Sequence, residues 1–435
     1  MHWPDNRITL ATFMSKRTGW LLFLLLAAVF LFCNRGAYHG YFQDDEINAM
    51  SWTRNGPAGD FLKGILQPVY TKCFRAAGFY FFRVTEHWFG LDFPGYVAVI
   101  QAIHLLNVWM LWVLLRRVGA QVFPACCAVA FFALHAALFD AFWKPAFIFD
   151  LQCATLCLAS TLLWIRGWWI PSFVLFWVAY QTKELAVMLP LVLVCYEYWF
   201  GTRRWKPLVL FVAASFSFGF QALILHPIPL GDYSFHFTPE TLLRTAGYYS
   251  AQVFLVPLLG FVVLIGAWEA RNKLTWFGLT VLLLYFMPLL FLPGRIEAAY
   301  CYLPFTGLAV ALAGIAGTRK TWEVAVFCML WLPLDFYYLH EKSDALLRRD
   351  DDIRQWITAA RAFAKARPEV VNFAWEGTPE GFRPFGMGAT FKYFTGQNIQ
   401  VEWLNSPEGA KLCQGKNAAI LRWHADKHQL EIDPL

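Results

Sequence analysis

Three consecutive acids, Asp44, Asp45 and Glu46, stand in the stretch Gly40-Tyr-Phe-Gln-Asp-Asp-Glu-Ile-Asn48, just past the first apolar run. Carboxylates are scarce around them: of 30 acids in the chain, 13 fall from residue 340 onward. Adjacent carboxylates at the mouth of an apolar bundle suit general-base work on a lipid-linked substrate. The competing reading is a solvated loop whose acids cap a helix. Three other charged groups fall on the same side of the chain: Asp140, within Leu134-His-Ala-Ala-Leu-Phe-Asp-Ala-Phe-Trp-Lys144; the pair Lys183-Glu184; and Arg295, Glu297, Tyr300 and Tyr302, within Gly294-Arg-Ile-Glu-Ala-Ala-Tyr-Cys-Tyr-Leu-Pro304. Carboxylates and cations meeting at one membrane face suit transfer of a sugar from a polyprenyl-phosphate donor. A base takes the proton of the acceptor hydroxyl, and a cation steadies the departing phosphate. Inverting displacement needs one positioned carboxylate on the acceptor side. The phosphate leaves readily, so no strong acid is required.

Each group also has a plainer role. Asp140 caps its loop, Lys183 snorkels to the interface, and Arg295 anchors a helix end. Lys183 and Glu184 are neighbours in sequence and do not face each other on a helix, so they are not automatically an ion pair. His104 and Asn107 lie one turn apart in an apolar segment and read equally as hydrogen-bonders between helices, as does His135. No His, Cys, Asp or Glu set has metal-ligand spacing.

The elements that must hold these residues are membrane spans. The chain of 435 residues is 58% hydrophobic, 18% aromatic and 15% charged, with mean hydropathy +0.44. Soluble domains average about 25% charged residues, so the composition is that of a membrane protein. About eleven spans are expected, over 19–34, 94–115, 121–139, 146–166, 168–181, 184–200, 206–225, 245–268, 274–292, 298–317 and 321–339. Lys183 and Glu184 interrupt one long apolar stretch. At about 2.5–3.5 kcal/mol per buried charge, the chain must break there or line a wet cavity.

Charge sets the orientation. With the N-terminus cytoplasmic, the inside loops carry Arg116-Arg117, Arg166, Arg203-Arg204-Trp-Lys206, Arg271-Asn-Lys273 and Arg319-Lys320. The opposite loops carry the acid triplet, Asp140, Asp232, Glu240 and Glu297. This positive-inside pattern puts the 34–93 loop, the 226–244 loop and the tail outside, in a bacterial layout the periplasmic face of the inner membrane. The net charge of +6 follows from those loops and does not indicate nucleic-acid binding. The run after Lys16-Arg17 lacks a small-residue cleavage site and reads as a retained anchor. Six of the ten cysteines, Cys126, Cys127, Cys153, Cys157, Cys195 and Cys328, sit in apolar segments as small hydrophobes, and no disulfide framework is expected.

The 34–93 loop is long and aromatic, with amphipathic surface helices expected at Phe61–Leu66 and Phe74–Trp88. Residues 1–340 thus form a membrane domain and residues 341–435 a small α/β domain. That tail should hold a helix over Ser343–Ala366 and strands at Val370–Ala374, Ile399–Trp403, Ala418–Trp423 and His428–Ile432.

In order and topology these motifs resemble membrane glycosyltransferases of the C superfamily (GT-C fold), and look closest to bacterial relatives of the protein O-mannosyltransferases whose animal members carry tetratricopeptide tails. The matching residues are Tyr41-Phe-Gln-Asp-Asp45, Phe89-Gly-Leu-Asp-Phe-Pro-Gly-Tyr96 leading to His104-Leu-Leu-Asn107, the ends His135 and Asp140 of a His-x-x-His-x-Glu-type segment, Thr182-Lys-Glu-Leu-Ala-Val-Met-Leu-Pro190, and Glu297-Ala-Ala-Tyr-Cys-Tyr-Leu-Pro304. The resemblance covers about residues 15–340. This sequence departs from the family in having Gln67 where an Arg precedes Pro68, Ala298 where an Arg follows the Glu, Leu138 for the second His, and no tetratricopeptide repeat in its tail.

The resemblance implies an all-α polytopic membrane protein with a small C-terminal α/β domain. It implies transfer of a hexose or mannose-like sugar from a polyprenyl-phosphate donor to a protein or glycan acceptor. One of Asp44 and Asp45 would be the base, assisted by Glu46 or Asp140. Lys183, Arg295 and His104 would hold the donor phosphate, with Glu184, Glu297, Tyr300 and Tyr302 beside them in the substrate site. Some branches place a divalent metal between outer acids. Without a ligand set here, a metal-independent site is favoured, with a metal the open alternative. Besides the lipid-linked donor, membrane lipids are the expected partners. The rival functions are a lipid or solute transporter and a non-catalytic membrane scaffold. A transporter would show two symmetric halves with broken spans, and no such symmetry is visible.

Overall fold

A computed structural model describes residues 10–67, 75–220, 234–415 and 417–435. Asp232 and the expected helix start at Phe74 lie outside the described residues. The described residues before the tail form α-helices joined by short turns and loops. The first half comprises α1 Leu10–Cys33, α2 Asp44–Asn55, α3 Ala58–Leu66, α4 Ala76–Phe89, α5 Phe93–Arg117, α6 Val122–Leu134, α7 Phe139–Trp143 and α8 Ile148–Ile165. There follow α9 Trp169–Tyr180, α10 Leu189–Trp199, α11 Trp205–Phe220, α12 Pro239–Phe254, α13 Pro257–Ala270, α14 Lys273–Phe286, α15 Pro304–Ala316 and α16 Thr321–Ala366.

Among the described residues four helical stretches, Phe93–Arg117, Pro145–Ile165, Lys273–Phe291 and Thr321–Ala366, are long and apolar enough to cross a membrane. Their outer faces agree with that: Leu21, Phe216 and Leu330 keep 68%, 75% and 65% of their surface exposed. Apolar exposure on this scale needs lipid rather than water around it. Between α14 and α15 the contact is backbone to backbone. A Cβ on Gly278 would stand 2.2 Å from the Ala311 nitrogen, and one on Gly307 would stand 2.4 Å from the Leu282 nitrogen. Small residues at this crossing let the two helices seize each other, which fixes both ends of the 287–303 loop.

Three expected spans are changed by the structure. The segment expected as one span over 245–268 is two helices, α12 and α13, meeting at 88°. Pro257 has no N–H and disfavours helical backbone at Val256, so the first helix stops and a second starts at the proline. The span at 121–139 is α6 followed by Ala136–Trp143, bent by 43° at His135. At Lys183-Glu184 the chain breaks between α9 and α10, as expected from the charges there: Lys183 is extended and Glu184–Met188 is a 3₁₀ turn. The last span and the tail helix, expected as separate elements, are a single α-helix of 46 residues with Pro333 inside it.

Beyond α16 comes a four-stranded sheet: β1 Asn372–Glu376, β2 Gln400–Trp403, β3 Ala418–His424 and β4 Gln429–Pro434, in the order β2-β1-β3-β4. β1 pairs parallel with β2 and β3, and β3 pairs antiparallel with β4. The parallel pairs need crossover helices, supplied by α17 Pro384–Thr395 and α18 Pro407–Cys413. The core joining α16, the sheet and α17 is aromatic. Phe373 stacks on Phe391 at 4.0 Å between ring centroids, and Trp356 packs on Phe382 at 4.9 Å. α17 also lies against α2. Tyr393 donates a hydrogen bond of 3.0 Å to Glu86, and a Cβ on Gly386 would stand 2.5 Å from the Asp44 Cβ. The tail domain is therefore seated on the acid triplet.

Candidate active site

The acid triplet opens α2, where negative charge faces the positive end of the helix. Its three carboxylates have different surroundings. Glu46 is 1% exposed. It accepts hydrogen bonds from the Gln43 N–H (3.0 Å) and the Ala146 N–H (3.1 Å), tying the start of α2 to the turn before α8. Burial, with Asp45 nearby, pushes its carboxyl up to about 7. Asp44 is also buried; its Oδ1 accepts the Asp45 N–H at 2.8 Å, and its Oδ2 meets Arg383 Nε at 2.5 Å.

Asp45 faces outward, with 57% of its side chain exposed, and its Oδ2 lies 3.2 Å from Arg383 Nη2. Crowding by the protein raises its carboxyl, as does Asp44, while Arg383 and Arg295 pull it back. Water at the exposed side moderates all of these effects. The loop before α2 is held from the tail domain. Asp350 of α16, itself buried, accepts the Tyr41 N–H at 2.9 Å and the Gln43 side-chain amide at 2.7 Å.

Arg295 and Glu297 come from the loop between α14 and α15, and Asp140 from α7. Asp140 forms an ion pair with Lys144 at 3.0 Å. Burial and the Asp140 charge raise the Glu297 carboxyl, while Lys144, Arg295 and Arg383 lower it. Glu297 thus links the Asp140 pair electrostatically to the Arg383 bridge. Of the expected residues, Asp44 and Arg295 act on the charge of Asp45, and Asp140 and Arg295 act on that of Glu297.

A second network lies deeper. Lys183 and Glu184 do not pair with each other. Lys183 Nζ sits 2.5 Å from Asp150 Oδ1 and 3.9 Å from the centre of the Tyr300 ring. Glu184 takes a two-pronged bond from Arg75, with both contacts at 2.9 Å. The break between α9 and α10 thus places both charges beside partners, as buried ions require.

His104 and Tyr302 are elsewhere. Both are fully enclosed. His104 Nδ1 lies 2.7 Å from the Tyr302 hydroxyl and its Nε2 lies 3.1 Å from the Ala133 carbonyl. Asn107 donates to the same hydroxyl at 3.1 Å. Both ring nitrogens are used internally, the arrangement of an interhelical hydrogen-bonder. His135 is closed off likewise: it lies 3.1 Å from the Val253 carbonyl and accepts the Ala137 N–H. Glu46 is spent on backbone N–H groups in the same way.

Four residues of these networks escaped the sequence reading: Asp150, Arg75, Asp350 and Arg383. Only Asp150 carried a signal, as an acid inside an apolar segment. For a metal, the fit is poor. Among the described residues no group of three His, Cys, Asp or Glu side chains could hold an ion, and the Asp44–Asp45 pair is already bridged by a guanidinium. A separate apolar cavity of about 760 Å³ lies between α6, α13, α15 and α16, lined by Phe131, Val263, Ile315 and Trp331 and ending at Arg319 and Glu323. None of the acids of the cluster lines it.

No protein-family model matches the chain, and no curated protein sequence matches it. Among solved structures it is similar to ArnT from Cupriavidus metallidurans bound to undecaprenyl phosphate, with a TM-score of 0.55 at 15% identity over 96% of this chain and 98% of that one. The apo state of the same protein gives 0.54 at 14% identity with the same coverage. A looser likeness, 0.47 at 10% identity, covers 94% of this chain and 69% of an Archaeoglobus fulgidus oligosaccharyltransferase tethered with an acceptor peptide containing the NVT sequon. At such identities the likeness is one of fold.

Proposed function

From the GT-C fold, which this chain shares with ArnT along nearly its whole length, we propose that it is a membrane glycosyltransferase. It moves a hexose-like sugar from a polyprenyl-phosphate donor to a protein or glycan acceptor at the periplasmic face of a bacterial inner membrane. The observation that carries this reading is the acid pair at the start of α2, one carboxylate buried and the other outward, with Arg383 and Arg295 beside it.

In the proposed step Asp45 takes the proton of the acceptor hydroxyl as its oxygen bonds to the sugar C1. The bond from C1 to the phosphate oxygen breaks with its electron pair, and the phosphate leaves on the opposite face with inversion. Asp44, held by the Asp45 N–H and by Arg383, fixes the geometry of the pair. Arg295 and Lys183 are the cations assigned to the donor phosphate, with Tyr300 against Lys183. Asp140 and Glu297 border the acceptor side. Eleven crossings are proposed, made by α1, α5, α6 with α7, α8, α9, α10, α11, α13, α14, α15 and α16. α12 lies along the membrane, the N-terminus is cytoplasmic and the tail domain periplasmic. A similar protein solved with undecaprenyl phosphate bound supports the choice of donor lipid. A scaffold reading is favoured if the acid pair stands far from other charges, and the contacts of Arg383 with both acids speak for the enzyme instead.

The test is transfer of radiolabelled sugar from polyprenyl-phosphate hexose in membranes, comparing wild type with Asp44→Asn and Asp45→Asn. Loss of transfer in Asp45→Asn with normal insertion supports the base. Equal transfer in all three overturns it.

A further inference from the structure

Among the described residues Arg383 is the one cation bonded to both acids of the proposed base pair, and it does not come from the membrane bundle. It precedes α17, 339 positions after Asp44 in the chain. Its placement is built. Gly386 lets α17 approach the Asp44 backbone more closely than any side chain would allow. The Phe385 ring lies 4.6 Å from the guanidinium carbon. Farther along α17, the Tyr393 hydroxyl bonds to Glu86. The guanidinium is 52% exposed, so it reaches the acids from the solvent side.

Its two contacts are unequal. The bond to buried Asp44 is 2.5 Å and the one to outward Asp45 is 3.2 Å. A positive charge between two carboxylates allows adjacent acids to be ionised together, and the forked guanidinium, unlike a point charge, also fixes their relative rotation.

We infer that Arg383 is a positioning residue for the acid pair, so that the tail domain completes the active site rather than merely covering it. Arg383 clamps Asp44 and leaves Asp45 ionised and turned outward to receive the acceptor proton. This rests on Asp45 being the base. The charged groups facing Asp45 are Asp44 and Glu46 on α2, Arg295 on the loop before α15, and Arg383 before α17. Of these, the acids oppose its ionisation and the two arginines favour it. Removing Arg383 leaves Arg295 alone against two acids, and Asp45 then holds its proton to higher pH.

The experiment reads that proton directly. Carbodiimide labels a protonated carboxyl, and mass spectrometry locates the label. Labelling of Asp45 is followed against pH in the full-length protein, as wild type, Arg383→Gln, Arg383→Lys and Tyr393→Phe, alongside the pH profile of sugar transfer. In Arg383→Gln the labelling midpoint and the acid limb of kcat/KM both move to higher pH, so activity recovers at alkaline pH. Arg383→Lys restores part of the shift. Tyr393→Phe removes one bond at the far end of α17, leaves the Gly386 approach and the Phe385 ring holding Arg383, and moves neither. Midpoints for Arg383→Gln that coincide with wild type, or a pH-independent loss of activity, overturn the inference. Full transfer by Asp45→Asn, with the labelling shift still present, refutes the base reading alone.

Discussion

Gly386→Ala tests how the tail domain is held on the acid pair. The added methyl would stand 2.5 Å from the Asp44 Cβ and 2.8 Å from its Cα. Carbon atoms rest about 3.5–4.0 Å apart, so α17 must retreat from α2 by roughly 1 Å. Both partners are backbone or backbone-adjacent, and no flexible side-chain end can yield instead. Arg383 lies one turn before Gly386, and its 3.2 Å contact with Asp45 then exceeds hydrogen-bond length. Forcing an extra methyl into a filled contact costs about 1–3 kcal/mol. The better helix propensity of alanine returns up to about 1 kcal/mol, leaving a net loss of about 1–2 kcal/mol. The assay is denaturant unfolding of the protein in nanodiscs, followed by tryptophan fluorescence, with limited proteolysis reporting on the tail domain. Gly247→Ala in α12 is the control, because a Cβ there meets nothing within 4 Å. It should be neutral or slightly stabilising. If Gly386→Ala matches its control in stability and protease resistance, the close approach of α17 is not what seats the domain.

Lys183→Met leaves Asp150 buried without its counter-charge and should cost about 3–5 kcal/mol, measured by the same unfolding assay. Adding Asp150→Leu should recover most of that stability but no sugar transfer, because Lys183 is assigned to the donor phosphate. Stability should also depend on pH through Glu46. Its folded carboxyl titrates near 7 and its unfolded one near 4.5. The folded state therefore holds the proton longer, and this contribution is fully present below about pH 4.5 and is lost as pH rises to about 7, on the order of 3 kcal/mol in all. An unfolding series from pH 4 to 8 that shows the same slope in Glu46→Gln would refute it.

The sequence singled out the acid triplet as a candidate for chemistry, but not how differently its members are placed. Three adjacent acids look alike as letters. Only the fold shows that Glu46 turns inward to two N–H groups while Asp45 turns outward. The helix-cap reading holds for Glu46, and the site reading is left to the outward Asp45. Lys183 and Glu184 were legible as charges too costly to bury alone. Their partners were half legible: Asp150 sits in an apolar run, whereas Arg75 lies in a loop where an arginine needs no explanation. Arg383 could not be found from spacing, since its role arises from a tertiary contact between distant segments. The four strands of the tail were readable from their alternation. The 88° corner at Pro257 was also readable, as a residue with no N–H inside an assumed span. The continuity of α16 was not, because its apolar pattern ends near residue 340 while its backbone hydrogen bonds do not.

That long helix has a mechanical meaning. At 1.5 Å per residue, its 46 residues extend about 69 Å, more than twice the roughly 30 Å of a hydrocarbon core. One end is gripped by lipid. The other carries Asp350, bonded to Tyr41 and Gln43, and Arg354, bonded to the carbonyls of His39 and Gly40. The helix is a strut with the acid pair tied to its upper half. The height of the two carboxylates above the bilayer is therefore set by how the strut stands in the membrane. A change in bilayer thickness that tilts α16 swings its far end through an arc and carries the start of α2 with it.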